Sequence, residues 1–295
     1  MNTLLESIGF GVVTASIIAI AAMGFSLQFA LTNVFNVAYG AVLTVGAFTA
    51  LITERIGANP WVGLATGAAL GIVVTVLIGK GVFVFFARRG NGIFELVMVS
   101  LALELIIQYG IQAFDHEQVY NFAFHQGTSV KFGAFVITAT QFVIIGIAVV
   151  AFALLEGMLR FTKLGKALRA VAEEPRLARA CGISTGRVVN VAWIASGALA
   201  GLAGVAYVVN SLTVTAFSGT DFLPLVLAAA ILGRAGSVAG AVLASLAIGI
   251  VIEVVSALGG SAYSTVAGFG ILVIVLLVKP GGVIGQIAAK TEVTL

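Results

Sequence analysis

The chain has 295 residues, of which 60% are hydrophobic and 9% are charged, and its formal net charge at pH 7 is +3. Soluble domains carry about 25% charged residues, so the charges present here cannot cover a water-facing surface of this size. The composition therefore excludes a soluble globular protein and indicates that lipid surrounds most of the chain. The single cysteine, Cys181, excludes an intramolecular disulfide.

Uncharged apolar runs recur along the chain, and a helix needs about 20 such residues to cross the hydrocarbon core. We therefore predict an all-α, polytopic integral membrane protein that forms one transmembrane domain over residues 1–295. The first run has no basic residue before it, so we interpret it as a retained span and not as a secretory signal. The eight predicted spans cover residues 8–30, 34–53, 56–79, 92–113, 132–155, 188–209, 235–252 and 254–278.

A ninth apolar stretch, residues 222–233, is short for a span and is predicted to be a half-helix or a re-entrant segment. Cytoplasmic loops are enriched in Lys and Arg, which sets the orientation. If the short stretch crosses the bilayer, most basic residues fall on one side, with the N-terminus outside and the C-terminus in the cytoplasm. The largest basic group lies between the fifth and sixth spans: Arg160, Lys163, Lys166, Arg169, Arg176, Arg179 and Arg187.

Residues 160–187 form the longest predicted cytoplasmic loop, and its second half reads as a short capped helix. Pro175 suits a first helical position, and Gly182 suits the stop after the last turn. Glu173 and Glu174 precede the helix, where acidic side chains are favoured. Leu177 and Cys181 share one face, while Arg176 and Arg179 share another. The residues alone leave two interpretations open, a basic linker on anionic lipid headgroups and a docking helix for a cytoplasmic partner.

Polar residues inside the predicted spans are the second set of candidates. Asn33, Asn36 and Gly40 are predicted to share one helical face, where the amides either bond to other helices or line a translocation path. Glu104 falls near mid-membrane, which makes it a functional candidate by default, although pairing with Gln108 and a neutral, protonated carboxyl group are the alternatives. Glu95 lies nine residues earlier, on the opposite face of the same helix.

The sequence offers little for catalysis or metal binding. His116 and His125 lie in one short outer loop with Asp115 and Glu117, at poor spacing for a metal site. No phosphate-binding loop of the Gly-x-x-x-x-Gly-Lys-Ser/Thr type is present, since Gly165 and Lys166 lack the required spacing. We therefore predict neither a metal nor a cofactor, and a protein that is not an enzyme.

Four segments together resemble one transporter family. They contain Phe35-Asn36-Val37-Ala38-Tyr39-Gly40, Leu164-Gly165-Lys166-Ala167 with Gly182-Ile183, Ala198-Leu199-Ala200-Gly201 and Leu232-Gly233-Arg234-Ala235-Gly236. Their order and spacing are similar to the ABC transporter permeases of the branched-chain amino-acid (LivH/LivM) family, and to the LivH type within it. Tyr39, Arg234 and Leu225 depart from the residues that are common in that family, at positions that bear on the substrate.

The resemblance implies a permease subunit of an ATP-driven importer for branched-chain or related amino acids in a bacterial inner membrane. Its implied partners are cytoplasmic ABC ATPase subunits, a second permease protomer of the same or a different chain, and an extracytoplasmic substrate-binding protein. The implied ATPase-docking residues are Glu173, Glu174, Arg176, Leu177, Arg179, Cys181 and Gly182. The predicted path residues are Asn33, Asn36, Tyr39 and Gly40, which lie in or next to a segment of the resemblance, and Glu104, which its mid-membrane position suggests.

Two other functions fit the composition. An ion-coupled secondary transporter of small polar solutes would use Glu104 as its coupling residue. A channel-like or structural membrane protein is the third hypothesis, but it gives no role to the helix in the 160–187 loop.

Overall fold

The computed structural model describes residues 2–59, 61–89, 92–114, 119–122, 129–132, 135–260 and 263–278. Helices account for most of these ranges, and the strands are short. A π-helical segment, Ile78–Phe83, joins two of the helices into one continuous rod. The helices are α1 (Asn2–Thr32), α2 (Tyr39–Arg55), α3 (Val62–Leu77), α4 (Val84–Arg88), α5 (Ile93–Phe114), α6 (Ala139–Phe161), α7 (Lys163–Glu173), α8 (Pro175–Ala180), α9 (Thr185–Ser211), α10 (Ser218–Leu232), α11 (Val238–Gly259) and α12 (Ser264–Val278).

The prediction of an all-helical polytopic membrane protein is confirmed. Within the described residues, 6 stretches are long and apolar enough to cross a bilayer. They are Ser7–Thr32, Val62–Phe86, Ile93–Ala113, Ala139–Phe161, Thr185–Ser211 and Val238–Leu258. Three further helices, α2, α10 and α12, are shorter, with 17, 15 and 15 residues. The short stretch 222–233 is thus most of the continuous helix α10.

The centre of the bundle is formed by α1, α2 and α9, whose inward-facing residues are almost all buried. Helix α1 packs along α9 and α11, and α9 also packs along α2 and α3. Glycines at four-residue spacing in α3 and α9 permit the closest of these contacts. A Cβ atom built on Gly197 would lie 2.5 Å from the carbonyl oxygen of Gly71, so the backbones of α3 and α9 touch directly.

One predicted boundary is wrong in a way that bears on the site. The span predicted over residues 34–53 begins as a helix only at Tyr39, and residues 33–38 are not helical. Asn33 ends α1 in the left-handed conformation, with φ of 53°, which Asn tolerates better than most residues. Asn33, Asn36 and Gly40 therefore do not share a helical face. The break carries no charge, and its polar side chains are the two asparagines among apolar residues, so hydropathy does not reveal it.

Three other boundaries also moved. The break predicted at Glu253 is wrong, because α11 runs through it, and the Thr14 hydroxyl donates a 2.8 Å hydrogen bond to that carboxylate. The span predicted over 56–79 is a helical rod from Val62 to Arg88, so Lys80 does not end it. Before α6, a hairpin of β2 (Ser129–Phe132) and β3 (Phe135–Thr138) occupies the start of the span predicted over 132–155.

A second strand pair ties together the end of the bundle at which α2 and α9 finish. Strand β1 (Tyr120–Asn121) pairs antiparallel with β4 (Thr213–Val214), which follows α9. The Arg55 guanidinium, at the end of α2, lies 5.1 Å from the centre of the Tyr120 ring. Strand β4, which precedes α10, is therefore attached to β1 by strand pairing, and β1 in turn contacts the end of α2 through Arg55.

Candidate functional site

A line of polar side chains runs along one face of α5 in an otherwise apolar helix. Ser100, Glu104 and Gln108 are four residues apart, so they stack on one face, and all three are buried. We call this set the α5 seam. Glu104 lies at the middle of the 22-residue helix, and only 3% of its surface is exposed.

Thr220, in the first turn of α10, connects two members of the seam. The Thr220 hydroxyl donates a 2.5 Å hydrogen bond to Oε1 of Glu104. The same hydroxyl accepts a hydrogen bond from the side-chain amide of Gln108. Glu104 and Gln108 therefore meet through Thr220 and not through the direct pair considered from the sequence. Within the described ranges, no Lys or Arg forms an ion pair with Glu104.

The first turn of α2 lies against the same place. A Cβ atom built on Gly40 would lie 2.6 Å from Oε1 of Glu104, so only a glycine leaves room for the carboxylate in this position. Thr44 links the two short helices, because its hydroxyl accepts a 3.0 Å hydrogen bond from the Gly219 amide and donates to the Gly40 carbonyl. The beginnings of α2 and α10 thus meet at the centre of α5.

The non-helical residues before α2 supply a further polar group. The Val37 amide donates a 3.0 Å hydrogen bond to the Ser100 hydroxyl, which holds this segment on the seam. Next to it, the Asn36 side chain is 1% exposed, and neither its oxygen nor its nitrogen has a hydrogen-bond partner. A buried amide without partners costs about 1–3 kcal/mol, so this position calls for a ligand, a water molecule or a second chain.

The structure divides the predicted path residues. Gly40 and Glu104 come together, and Asn36 lies one residue from the contact to Ser100. Tyr39 instead belongs to the packing of α1, since its hydroxyl donates a 2.8 Å hydrogen bond to the Ala21 carbonyl. Asn33 lies at the end of α1 and is only partly buried. Three of the predicted path residues therefore lie close together and two do not, and a role of any of them in transport stays a prediction.

The predicted docking residues form an exposed surface. Glu173, Glu174, Arg176, Leu177, Arg179, Cys181 and Gly182 are all exposed. Pro175 is the first residue of α8, and Gly182 follows it with φ of 82°, as the sequence indicated. Glu173 is the last residue of α7, and Glu174 caps α8 without a side-chain hydrogen bond, so the two acids do not both belong to the α8 start. Leu177 is 61% exposed, so an apolar side chain lies among the charged ones on this surface.

This surface is held firmly against the bundle. Helix α7, which the sequence did not reveal as a separate element, is amphipathic and buries Leu168 and Val171. Its N-cap, Thr162, accepts a 3.0 Å hydrogen bond from the Gly165 amide. Ala178 is the buried residue of α8 and is 4% exposed. A short helix anchored on one side presents its polar and apolar groups outward in a fixed arrangement.

In the described part of the chain, no group of three or more His, Cys, Asp or Glu residues could hold a metal ion. The outer loop with His116 and His125 lies outside the described residues.

Comparison with known proteins decides the family. The family model described as "Branched-chain amino acid transport system / permease component" matches residues 7–277. The chain belongs to this family. The branched-chain amino-acid permease LivH of Escherichia coli K12 is 27% identical over 291 residues, covering 94% of each chain. The permease BraD of Pseudomonas aeruginosa is 27% identical over 304 residues, covering 96% of each. The family resemblance read from the sequence is thereby confirmed.

A solved structure shares the fold. It is titled "PsaBC from Streptococcus pneumoniae in complex with Fab", matches with a TM-score of 0.50 and 14% identity, and covers 92% of this chain and 91% of its own. At this identity the likeness supports the helical architecture of the permease and nothing further.

Sequence reasoning missed several residues of the site around the α5 seam. Ser100 is four residues from Glu104 on the same face, and that spacing was visible in the sequence. Thr44, Gly219 and Thr220 could not be found in this way, because nothing local in the sequence relates the start of α10 to the middle of α5.

Proposed function

We propose that this permease carries branched-chain or related amino acids inward across a bacterial inner membrane, driven by separate ATPase subunits. Family membership and the names of the relatives support the substrate class. The observation that carries the mechanism is the pair of sites: a buried polar seam inside the bundle and an exposed, anchored docking helix outside it.

The seam suits an amino-acid path. A zwitterionic amino acid carries an ammonium group, and a carboxylate in a region of low dielectric attracts it strongly. Glu104 supplies the carboxylate, while Thr220 and the unpartnered Asn36 amide supply neutral hydrogen-bonding groups. In this closed arrangement the carboxylate lies against Gly40, so we infer that α5 separates from the starts of α2 and α10 when substrate passes.

We test this path by substitution on α5. Glu104→Gln keeps the acceptor for Thr220 and removes the charge, so we expect uptake to fall at least tenfold in the assembled transporter. Glu95→Gln is the matched control, because Glu95 is exposed on another face of the same helix. Equal uptake in both variants would contradict a role of the Glu104 charge in transport.

The α8 surface suits an ATPase subunit. Its exposed Leu177 offers an apolar contact, and Arg176 and Arg179 surround it with charge. ATP hydrolysis then comes from that partner, since this chain has no phosphate-binding loop. We infer further that a second permease protomer completes the path and that an extracytoplasmic binding protein delivers the substrate, as in the family.

The docking proposal is tested with Arg176→Glu and Leu177→Asp. We expect both variants to insert normally, to lose co-purification with the ATPase, and to reduce ATP-driven uptake to background. Lys166→Glu is the control, because Lys166 is exposed on α7 but lies outside the docking set. Wild-type uptake in the two α8 variants would refute the proposal.

We infer the orientation of the chain in the membrane from the assignment of the α8 surface to an ATPase subunit. The ends of α1 and α6 and the start of α11 meet beside α7, so the basic 160–187 segment and these three ends belong to one side. We place that side in the cytoplasm because of its Lys and Arg residues. The N-terminus then lies outside.

A further inference from the structure

A cleft of about 540 Å³ opens between α6 and α11, beside the docking segment but separate from both sites described above. Its floor is the last part of α1, and α7 closes its end. We call it the α6–α11 cleft. None of the seam residues and none of the predicted docking residues line it.

The interior of the cleft is apolar and its rim is basic. Leu27, Leu31, Leu159 and Leu168 contribute aliphatic surface from three different helices. Two guanidinium groups, from Arg160 and Arg169, line the same cleft. An apolar cleft that is also lined by two arginines matches a molecule that has a hydrocarbon chain and an anionic end.

The arginine at the rim keeps donors available. Arg160 donates from Nε to Oε1 of Glu156 at 2.5 Å, and its side chain is 64% exposed. A guanidinium has five N–H donors, so the groups on its two terminal nitrogens remain for a phosphate. Arg169 is exposed and adds a second cation. Together they exceed the one negative charge of Glu156 in the cleft.

The location of the cleft also favours lipid. Helix α6 is the least buried of the described long apolar helices, since 17% of its most apolar stretch is buried inside the protein. Its outer surface therefore faces the bilayer. The cleft lies at the end of α6 next to amphipathic α7, where headgroups meet the protein. The N-cap of α11, Ser237, lines the cleft too and turns the partial positive charge of a 22-residue helix toward it.

We propose that the α6–α11 cleft binds an anionic phospholipid, with the headgroup phosphate on Arg160 and Arg169 and an acyl chain along the leucines. Basic pockets between helices on the cytoplasmic side are suited to anionic headgroups. The lipid would fill the wedge between α6 and α11 and brace α7, from which the α8 surface projects. The site shares no residue with the proposed path or the docking surface, and its cytoplasmic location rests on the orientation proposed above.

The experiment measures lipid affinity of the purified full-length chain by native mass spectrometry after delipidation. Phosphatidylglycerol is the anionic probe, and phosphatidylcholine with the same acyl chains is the zwitterionic one. We expect tighter binding of phosphatidylglycerol, and a loss of about 30-fold in its affinity in the double variant Arg160→Gln, Arg169→Gln, at about 1 kcal/mol for each cation.

Lys163→Gln, Lys166→Gln is the matched control. It removes the same charge from the same segment, but neither lysine lines the cleft, so affinity should stay near wild type. Ala239→Trp fills the cleft without a charge change and should also weaken binding, which keeps the test decisive if the arginine variant is poorly folded. Ala239 lies in the first turn of α11 and lines the cleft.

Four outcomes overturn the proposal. Equal loss in the lysine control would mean diffuse surface charge, and equal binding of phosphatidylcholine would mean a groove without headgroup selectivity. Displacement of the lipid by inorganic phosphate would reveal a free-anion site. Loss of association between two copies of the chain in the arginine variant, with lipid binding unchanged, would show a protein interface.

Discussion

Thr220→Val removes the hydroxyl that connects α10 to the α5 seam and preserves the shape of the side chain. Thr220 donates to Glu104 at 2.5 Å and accepts from Gln108, so one substitution breaks two interhelical hydrogen bonds. Because valine has nearly the same volume, the effect reports hydrogen bonding and not a cavity. The variant therefore isolates the polar attachment of α5.

The expected cost follows from values for buried polar groups. Interhelical hydrogen bonds in membrane proteins average about 0.6 kcal/mol, with a maximum of about 1.7. A partner left buried without a bond costs about 1–3 kcal/mol. Glu104 and Gln108 are 3% and 1% exposed, so water does not replace the lost group in the closed state. We expect the free energy of unfolding to fall by about 1–3 kcal/mol.

The assay is equilibrium unfolding of the purified chain by dodecyl sulfate in mixed micelles, followed by circular dichroism. Thr66→Val is the control, because Thr66 is exposed and its hydroxyl bonds to carbonyls of its own helix. A double-mutant cycle of Thr220→Val with Gln108→Leu should give a coupling of at least about 0.5 kcal/mol. If Thr220→Val costs no more than Thr66→Val, the seam does not hold α5 and the reasoning fails.

Further substitutions test the close contacts and the exposed loop. Gly201→Ala should lower stability and expression, because a Cβ atom at this position would collide with the backbone of α3. Gly157→Ala is the control: a Cβ atom there has no neighbour within 4 Å, so the variant should be neutral or slightly stabilising in the same stability assay. Gly40→Ala should displace the Glu104 carboxylate and reduce uptake at unchanged expression; normal uptake would show that the carboxylate moves freely. Cys181 is the single cysteine and is exposed, so it should react with a maleimide in inside-out vesicles and be protected when the ATPase is bound. Labelling of Cys181 from outside intact cells would refute the proposed orientation.

The sequence was informative where hydropathy and charge determine the structure. Uncharged runs located most long helices, and the one-sided basic residues pointed to the segment that contains α8. The Pro175 and Gly182 pair gave the α8 bounds almost correctly, because helix ends have local chemistry. Glycines at four-residue spacing in α3 and α9 indicate close helix packing in lipid, but their spacing does not tell which two helices meet.

The errors share one physical cause. Hydropathy measures whether a segment prefers lipid, and it does not measure whether the backbone is helical there. Residues 33–38 are uncharged and not helical, whereas Glu253 is charged and lies within a helix, where Thr14 donates to it. Thr220 joins the site through contacts more than 100 residues apart, and no local pattern encodes such a contact.

The α5 seam also has a consequence for hydration. Hydroxyl, amide and carboxylate groups exchange their hydrogen bonds for bonds to water at little cost, whereas the leucine and valine surfaces around them do not. If α5 separates from α2 and α10 as proposed, we expect this strip to be wetted while the neighbouring helix faces stay dry. The α5 seam would then form a narrow polar path through an apolar helix bundle. We expect a single row of water molecules to occupy this path when the helices separate and to leave it when they close.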